Sequence, residues 1–177
     1  QYYLYPEQVV ARLDTDHTRT EEVKNGREKR VFTQCRQAVQ RGTTRGLTIA
    51  RSEAHADMIV DVASSIAYDK GETFIMITRN NDTVTNFHEN AMVETVAHVG
   101  RDGVTAVPFG QIDVFMKGLM EGQYAYESLT VDSYFEGSYK KALQALTLNR
   151  TLVDAKKARA VLDDLIDANQ RYWPELT

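Results

Sequence analysis

The sequence predicts an α+β fold, mainly helical, with a small grouped antiparallel or mixed sheet. Apolar residues recur at helical spacing up to about Tyr68 and again from Ile112 onward. Short apolar runs bounded by turn residues cluster between Thr73 and Phe109. The implied order is three helices, a small sheet, then three more helices. A chain of 177 residues with 42% hydrophobic and 26% charged residues can bury about 70% of its unfolded surface, so a real core is expected.

Pro6 suits the first turn of a helix, where its missing N–H costs nothing. Val9, Val10 and Leu13 give that helix a short apolar face, ending near Asp14-Thr15-Asp16. Thr18 to about Arg41 is rich in helix formers, and Asn25-Gly26 within it predicts a bend or turn. Val31, Phe32, Cys35, Ala38 and Val39 then recur at helical intervals, which puts Cys35 on the buried stripe as a core residue. After the loop Gly42-Thr43-Thr44-Arg45-Gly46, the stretch Ala54 to Tyr68 carries Met58, Ile59, Val62, Ala63, Ile66 and Ala67 on one helical face. Asp57, Asp61 and Ser65 lie on another.

Asp69-Lys70-Gly71 closes that helix. Thr73 to Thr78 is a nearly continuous apolar run that suits a buried strand, and Asn80-Asn81-Asp82 follows as a turn. Met92 to Val99 and Val104 to Phe109 read as two strands joined by Gly100-Arg101-Asp102-Gly103, with Pro108 marking an edge or exit. From Ile112 to about Glu136 the spacing is helical again, and Phe115, Met116, Leu119, Met120 and Leu129 form a stripe read as core. Leu143 and Leu146 belong to a shorter helix. A last helix runs from about Val153 to Tyr172 with Val161, Leu162, Leu165, Ile166 and Trp173 on one side, stopped by Pro174.

The net charge of −4 is spread rather than blocked, which argues against a nucleic-acid partner. Arg27-Glu28-Lys29-Arg30 reads as a solvated helix face. No apolar run approaches the ~18 residues that cross a bilayer, so no membrane partner is expected. A single cysteine excludes an internal disulfide, and with no export pattern at the N-terminus a cytoplasmic location is expected. The opening QYYLYP, aromatic and without Met, suggests a processed chain or a piece of a longer one.

No glycine-rich nucleotide loop, HExxH or GxSxG occurs. His17, His55, His88 and His98 never pair at helical spacing, so no self-contained histidine metal site is expected, and His55 reads as a cap or surface residue. Thr18-Arg19-Thr20-Glu21-Glu22 has two readings: a phosphate site, because an arginine forks onto anions, or a surface capping box. Asn80-Asn81 is either a turn or a pair of amides aimed at a polyol. Tyr2 and Tyr3 are packing residues or include a proton-transfer group.

Several strings together resemble one family. QYYLYP, TRTEEV followed by REKRVF, HADMIVDVASSIA, RNNDTVTNFHENAMVE, KGLMEGQYAYESLTVDSY and KARAVLDDLIDANQRYWPEL resemble the C-terminal half of the NAD- and divalent-metal-dependent glycoside hydrolases of family 4. Within it they are most similar to the bacterial 6-phospho-α-glucosidases that cleave maltose 6'-phosphate. The resemblance implies one C-terminal substrate-binding and oligomerisation domain over residues 1–177, of the lactate dehydrogenase and family 4 glycosidase type, with the NAD-binding domain outside this chain.

The resemblance also implies a chemistry without paired catalytic carboxylates. NAD oxidises the sugar at C3, a tyrosine removes the C2 proton, the glycosidic oxygen leaves, water adds and the hydride returns, with Mn²⁺ as Lewis acid. It implies that Arg19 holds the substrate 6-phosphate and that the catalytic tyrosine lies just before Gln1, with Tyr2 and Tyr3 as its neighbours. NAD and Mn²⁺ are expected in the full-length enzyme and not in this chain, which is expected to be inactive alone and homo-oligomeric in its parent.

A stand-alone interaction or dimerisation module is the alternative, as is a 6-phospho-β-glucosidase or galactosidase relative. The chain departs from the family pattern at Asp82 (usually Gly), at Glu94-Thr95-Val96 (no proline) and at Gln111-Ile112-Asp113. A left-handed turn at Asp82 is allowed but costs more than at glycine.

Overall fold

The computed structural model of the chain describes residues 4–47, 54–152 and 154–177. Along the chain come α1 (Pro6–Val10), α2 (Arg19–Glu22), a π-helical turn (Val23–Arg27), α3 (Glu28–Arg41) and α4 (Ala54–Tyr68). Then follow β1 (Glu72–Arg79), β2 (Met92–Gly100), β3 (Gly103–Ala106), α5 (Val114–Glu136), α6 (Tyr139–Leu148) and α7 (Ala155–Asn169). The predicted α+β order is the observed one. Two compact units emerge, Gln1–Leu13 with Arg79–Met92 and Pro108–Thr177, and Asp14–Thr78 with Val93–Val107.

In the second unit the strands lie in the order β1-β2-β3. β2 and β3 pair antiparallel from Ala97 opposite Ala106 to Gly100 opposite Gly103, which leaves Arg101-Asp102 at the hairpin tip. Gly103 takes φ 110°, a conformation that suits only glycine. Asp69 Oδ1 accepts the Arg101 N–H at 2.9 Å and so ties the end of α4 to that tip.

The apolar stripe of α4 is not its buried face. Ile59 and Ile66 are exposed while Ser65 is fully buried. The Ser65 hydroxyl donates to the Val99 carbonyl at 2.6 Å and accepts the Glu72 N–H at 3.1 Å, which joins α4 to β2 and to the start of β1. A buried hydroxyl with both roles filled leaves two backbone groups unsatisfied when removed. Ser65→Ala is expected to cost about 1–3 kcal/mol in a urea unfolding experiment, whereas a change below about 0.5 kcal/mol would show the contact to be replaceable.

Other burial expectations are corrected in the same way. Cys35 is exposed, not core, and its neighbours Phe32 and Val39 are exposed as well, Val39 by 82%. β1 is not buried on both sides. Phe74, Met76 and Thr78 are half-covered, but Ile75 and Ile77 on the other face are exposed. Phe115 and Met116 at the start of α5 are exposed too, whereas Leu119, Met120 and Leu129 are half-buried. Spacing reveals that one side of an element is apolar, but only another packed element can bury it. Asn25-Gly26 does not break the helix either: the chain stays helical there and widens into the π turn.

In the first unit, Asp113 caps α5 by accepting the Phe115 and Met116 N–H groups, and Gly137 ends it in the left-handed region at φ 64°. Ser138 and Asp154 cap α6 and α7. α6 packs against both α5 and α7, through the buried Ala142 and Ala145 of α6 and the buried Ala158 and Leu162 of α7. The Tyr139 hydroxyl donates to Asp163 at 2.7 Å, and that bond raises the phenol pKa. Lys141 reaches Glu136 at 2.6 Å and Asp132 at 2.9 Å, both of which hold its proton more tightly. α1 and α7 are shorter than expected, ending at Val10 and Asn169.

Candidate functional site

Both readings of Thr18-Arg19-Thr20-Glu21-Glu22 have physical content in the structure. Thr18 is extended, and its hydroxyl accepts the Glu21 N–H at 3.2 Å, which is the predicted cap. Arg19 donates through Nη1 to Glu22 Oε2 at 2.8 Å. Its side chain is 70% exposed, so most of the guanidinium fork stays accessible to an anion. Asn25 of the π turn donates to the Glu21 carboxylate and braces the same turn from behind. Just upstream, the Asp16 N–H and the His17 ring both bond the Asp14 carboxylate and hold its pKa below the usual range. Tyr2 and Tyr3 lie outside the described residues.

The asparagine pair after β1 divides its roles. Asn80 is fully buried, and its side chain faces the chain's own backbone rather than a ligand. Its Nδ2 donates to the carbonyls of Val84 at 3.0 Å and His88 at 3.2 Å, and its Oδ1 accepts the Val84 N–H at 2.7 Å. The Asn80 N–H also donates to the Ala91 carbonyl at 2.8 Å. Residues 81 to 90 are thereby wound around one amide. Asn81 and Asp82 take φ 39° and 65°, so the turn expected at Asn80-Asn81-Asp82 is present, with two non-glycine residues in the left-handed region. Asn86 matches the backbone of Ile112 with two bonds, donating at 2.9 Å and accepting at 3.1 Å, which fixes this loop beside the start of α5.

His88 closes the loop against α5. Its Nε2 lies 2.7 Å from Glu121 Oε2, and its ring stacks on Tyr124 with centroids 4.3 Å apart. Phe87 meets both rings edge-on. Sequence reading missed this cluster because the partners lie more than thirty positions apart, and no local spacing marks them. His98 bonds Thr73 at 3.1 Å and His17 bonds Asp14, so the histidines are dispersed. Among the described residues no three His, Cys, Asp or Glu side chains come together in a way that could hold a metal ion. The described side chains therefore do not supply a donor set that fits Mn²⁺. Among those residues no helix is long and apolar enough to cross a membrane.

Residues 1–152 match the family model of the Family 4 glycosyl hydrolase C-terminal domain. The chain belongs to glycosyl hydrolase family 4. Among its family 4 relatives, the 6-phospho-alpha-glucosidase of Leptotrichia buccalis is 45% identical over 99% of the chain and 40% of its own length.

A solved 6-phospho-alpha-glucosidase from gut microorganisms, in complex with NAD and Mn²⁺, superposes with a TM-score of 0.85 at 46% identity, over 99% of this chain and 40% of that one. The 6-phospho-beta glucosidase of Thermotoga maritima, solved with NAD and glucose-6-phosphate, superposes at 0.80 with 26% identity, over 97% of this chain and 41% of that one. The chain thus spans about two fifths of the length of the relatives it matches. The matched parts of these structures share the chain's mixed α+β fold.

Proposed function

We propose that this chain is the C-terminal domain of a 6-phospho-α-glucosidase, where it holds the phosphorylated sugar while the rest of the polypeptide binds NAD and Mn²⁺. The observation that carries the reading is the difference in identity: 45% to the Leptotrichia α-enzyme against 30% to the Thermotoga β-enzyme, each over nearly the whole chain. Arg19 is the residue of this chain assigned to the 6-phosphate. Its planar fork can donate two parallel hydrogen bonds to phosphate oxygens, and its exposure leaves room for them. Arg19 Nη1 bonds Glu22 at 2.8 Å in an exposed pair, which leaves the other guanidinium donors for an anion.

NAD, in this reading, supplies the oxidation and re-reduction of the sugar, and the chain's own contribution is to bind and orient. The exposed Phe115 and Met116 are candidates for a contact with a second copy, in keeping with a homo-oligomeric enzyme. A cytoplasmic setting goes with a doubly charged sugar phosphate that does not cross a bilayer unaided.

The test uses the intact polypeptide and the 177-residue chain side by side. Paired chromogenic α- and β-glucoside 6-phosphates are offered with NAD and Mn²⁺. The intact protein is expected to cleave the α-substrate and the isolated chain neither. Preference for the β-substrate would overturn the assigned specificity, and turnover by the chain alone would overturn the division of labour.

A further inference from the structure

Two helices of the second unit leave apolar strips uncovered. On α3, Phe32, Cys35 and Val39 fall at i, i+3 and i+7 and so share one side, and all three are exposed, Val39 by 82%. On α4, Ile59, Ala63, Ile66 and Ala67 share one side, with Val60 at its edge, and all five are exposed. The half-covered line of α3 is a different one, Val31, Gln34 and Ala38, and α4 is held to the sheet through Ser65. The strips do not cover each other within one chain, since both are open. Uncovered apolar strips on two successive helices mark an interaction surface.

The edges of the two strips carry opposite charge. α3 holds Lys29, Arg30, Arg36 and Arg41 against Glu28 alone, and α4 holds Asp57 and Asp61 with no lysine or arginine. At about 100° per residue, Arg36 and Lys29 stand about 40° and about 60° beyond Phe32, and Asp57 stands about 60° beyond Val60 in the same sense of rotation. Two helices laid face to face and antiparallel bring edges of the same sense together, so the cations of α3 fall beside the aspartates of an α4. Arg36 donates through Nε to the Phe32 carbonyl at 3.3 Å, which leaves its Nη groups for a partner. A hollow beside Phe32 is lined by Lys24, Glu28, Lys29, Phe32 and Arg36, all of one helical stretch, and so lies open to an incoming helix.

We infer that α3 of one copy lies antiparallel on α4 of a second copy, and α4 of the first on α3 of the second, with a two-fold axis repeating the contact. Such an interface must be self-complementary, and this chain carries both halves of it: a basic-edged strip and an acidic-edged one. Any other partner would have to match two strips of opposite charge independently. The pairing rests on the reading of the parent enzyme as a homo-oligomer. It places the contact on helices other than the one that bears Phe115 and Met116.

The experiment is sedimentation velocity on the intact protein over a range of concentrations. One variant carries Lys29→Glu with Arg36→Glu, the other Asp57→Lys with Asp61→Lys. Each alone sets like charges against each other at both contacts of the dimer and is expected to raise the dimer dissociation constant about 100-fold or more. Mixed in equal amounts, the two variants restore opposite charges at both contacts. The mixture is expected to return the dissociation constant to within about tenfold of the parent.

A parent-like dissociation constant in either variant overturns the pairing and leaves these strips to the rest of the polypeptide. Loss of the dimer without recovery on mixing overturns it too, because the loss then does not come from α3 meeting α4. Circular dichroism of each variant checks the fold, and if a double reversal does not fold, Arg36→Glu and Asp57→Lys are mixed in its place. A monomeric parent sinks the homo-oligomer reading and the pairing with it, while a dimeric parent indifferent to both reversals sinks the pairing alone.

Discussion

Arg19→Ala in the intact enzyme is expected to raise KM for a phosphorylated α-glucoside by about 10- to 100-fold. A charge-assisted hydrogen bond contributes about 1.5–3 kcal/mol, and about 1.4 kcal/mol is a factor of ten. Arg19→Lys keeps the charge but loses the planar fork, so it is expected to fall between the two. Stability should hardly change in either variant. The ion pair with Glu22 is exposed on both sides, at 70% and 61%, and such pairs contribute little.

Thr18 keeps its cap on the Glu21 N–H whatever stands at position 19. KM and stability thus separate the two readings of this stretch. A merely structural arginine would leave KM where it was, and an unchanged KM for the alanine variant would return Arg19 to its surface role.

The largest stability effect is expected at Asn80. Truncation to alanine leaves the Val84 N–H without its 2.7 Å acceptor, in a position with no access to water, and removes one of the two donors to each of the Val84 and His88 carbonyls, which keep the Phe87 and Ala91 N–H groups. Each buried group left unmade costs about 1–3 kcal/mol, so Asn80→Ala is expected to destabilise the chain by about 3 kcal/mol in denaturant. Loss of protection should concentrate in residues 81 to 91 when amide exchange is followed.

Asn80→Asp should do no better at neutral pH. A carboxylate there faces the Val84 and His88 carbonyls with no hydrogen to donate and no partner for its charge. If Asn80→Ala unfolds at the same denaturant concentration as the parent, the amide is not the organiser of this loop.

The local chemistry of the chain was readable where one residue acts on its near neighbours. Thr18 was legible as a cap because the group it bonds lies three positions on, and Asn80-Asn81-Asp82 was legible as a turn because short polar side chains favour one. Helix and strand order followed from spacing for the same reason. The family resemblance was carried by runs of residues spread along the chain, and the family comparison agrees with it over residues 1–152.

Burial was misread wherever it depended on a partner far away. Cys35 shares a helical stripe with other apolar residues, yet it is exposed, while Ser65 looked like part of a polar face and is one of the most deeply buried side chains described. The reason is that a hydroxyl placed between Val99 and Glu72 satisfies two backbone groups at once, a service no aliphatic residue can perform.

Sequence by itself determined the element order, the Thr18 cap and the family, since these depend on residues close together or on the string as a whole. Only the tertiary structure decided that Asn80 faces inward, that His88 meets Glu121, and that the helix after Glu22 widens into a π turn instead of breaking. Those outcomes turn on which polar groups need partners after packing, which is not a property of any single residue.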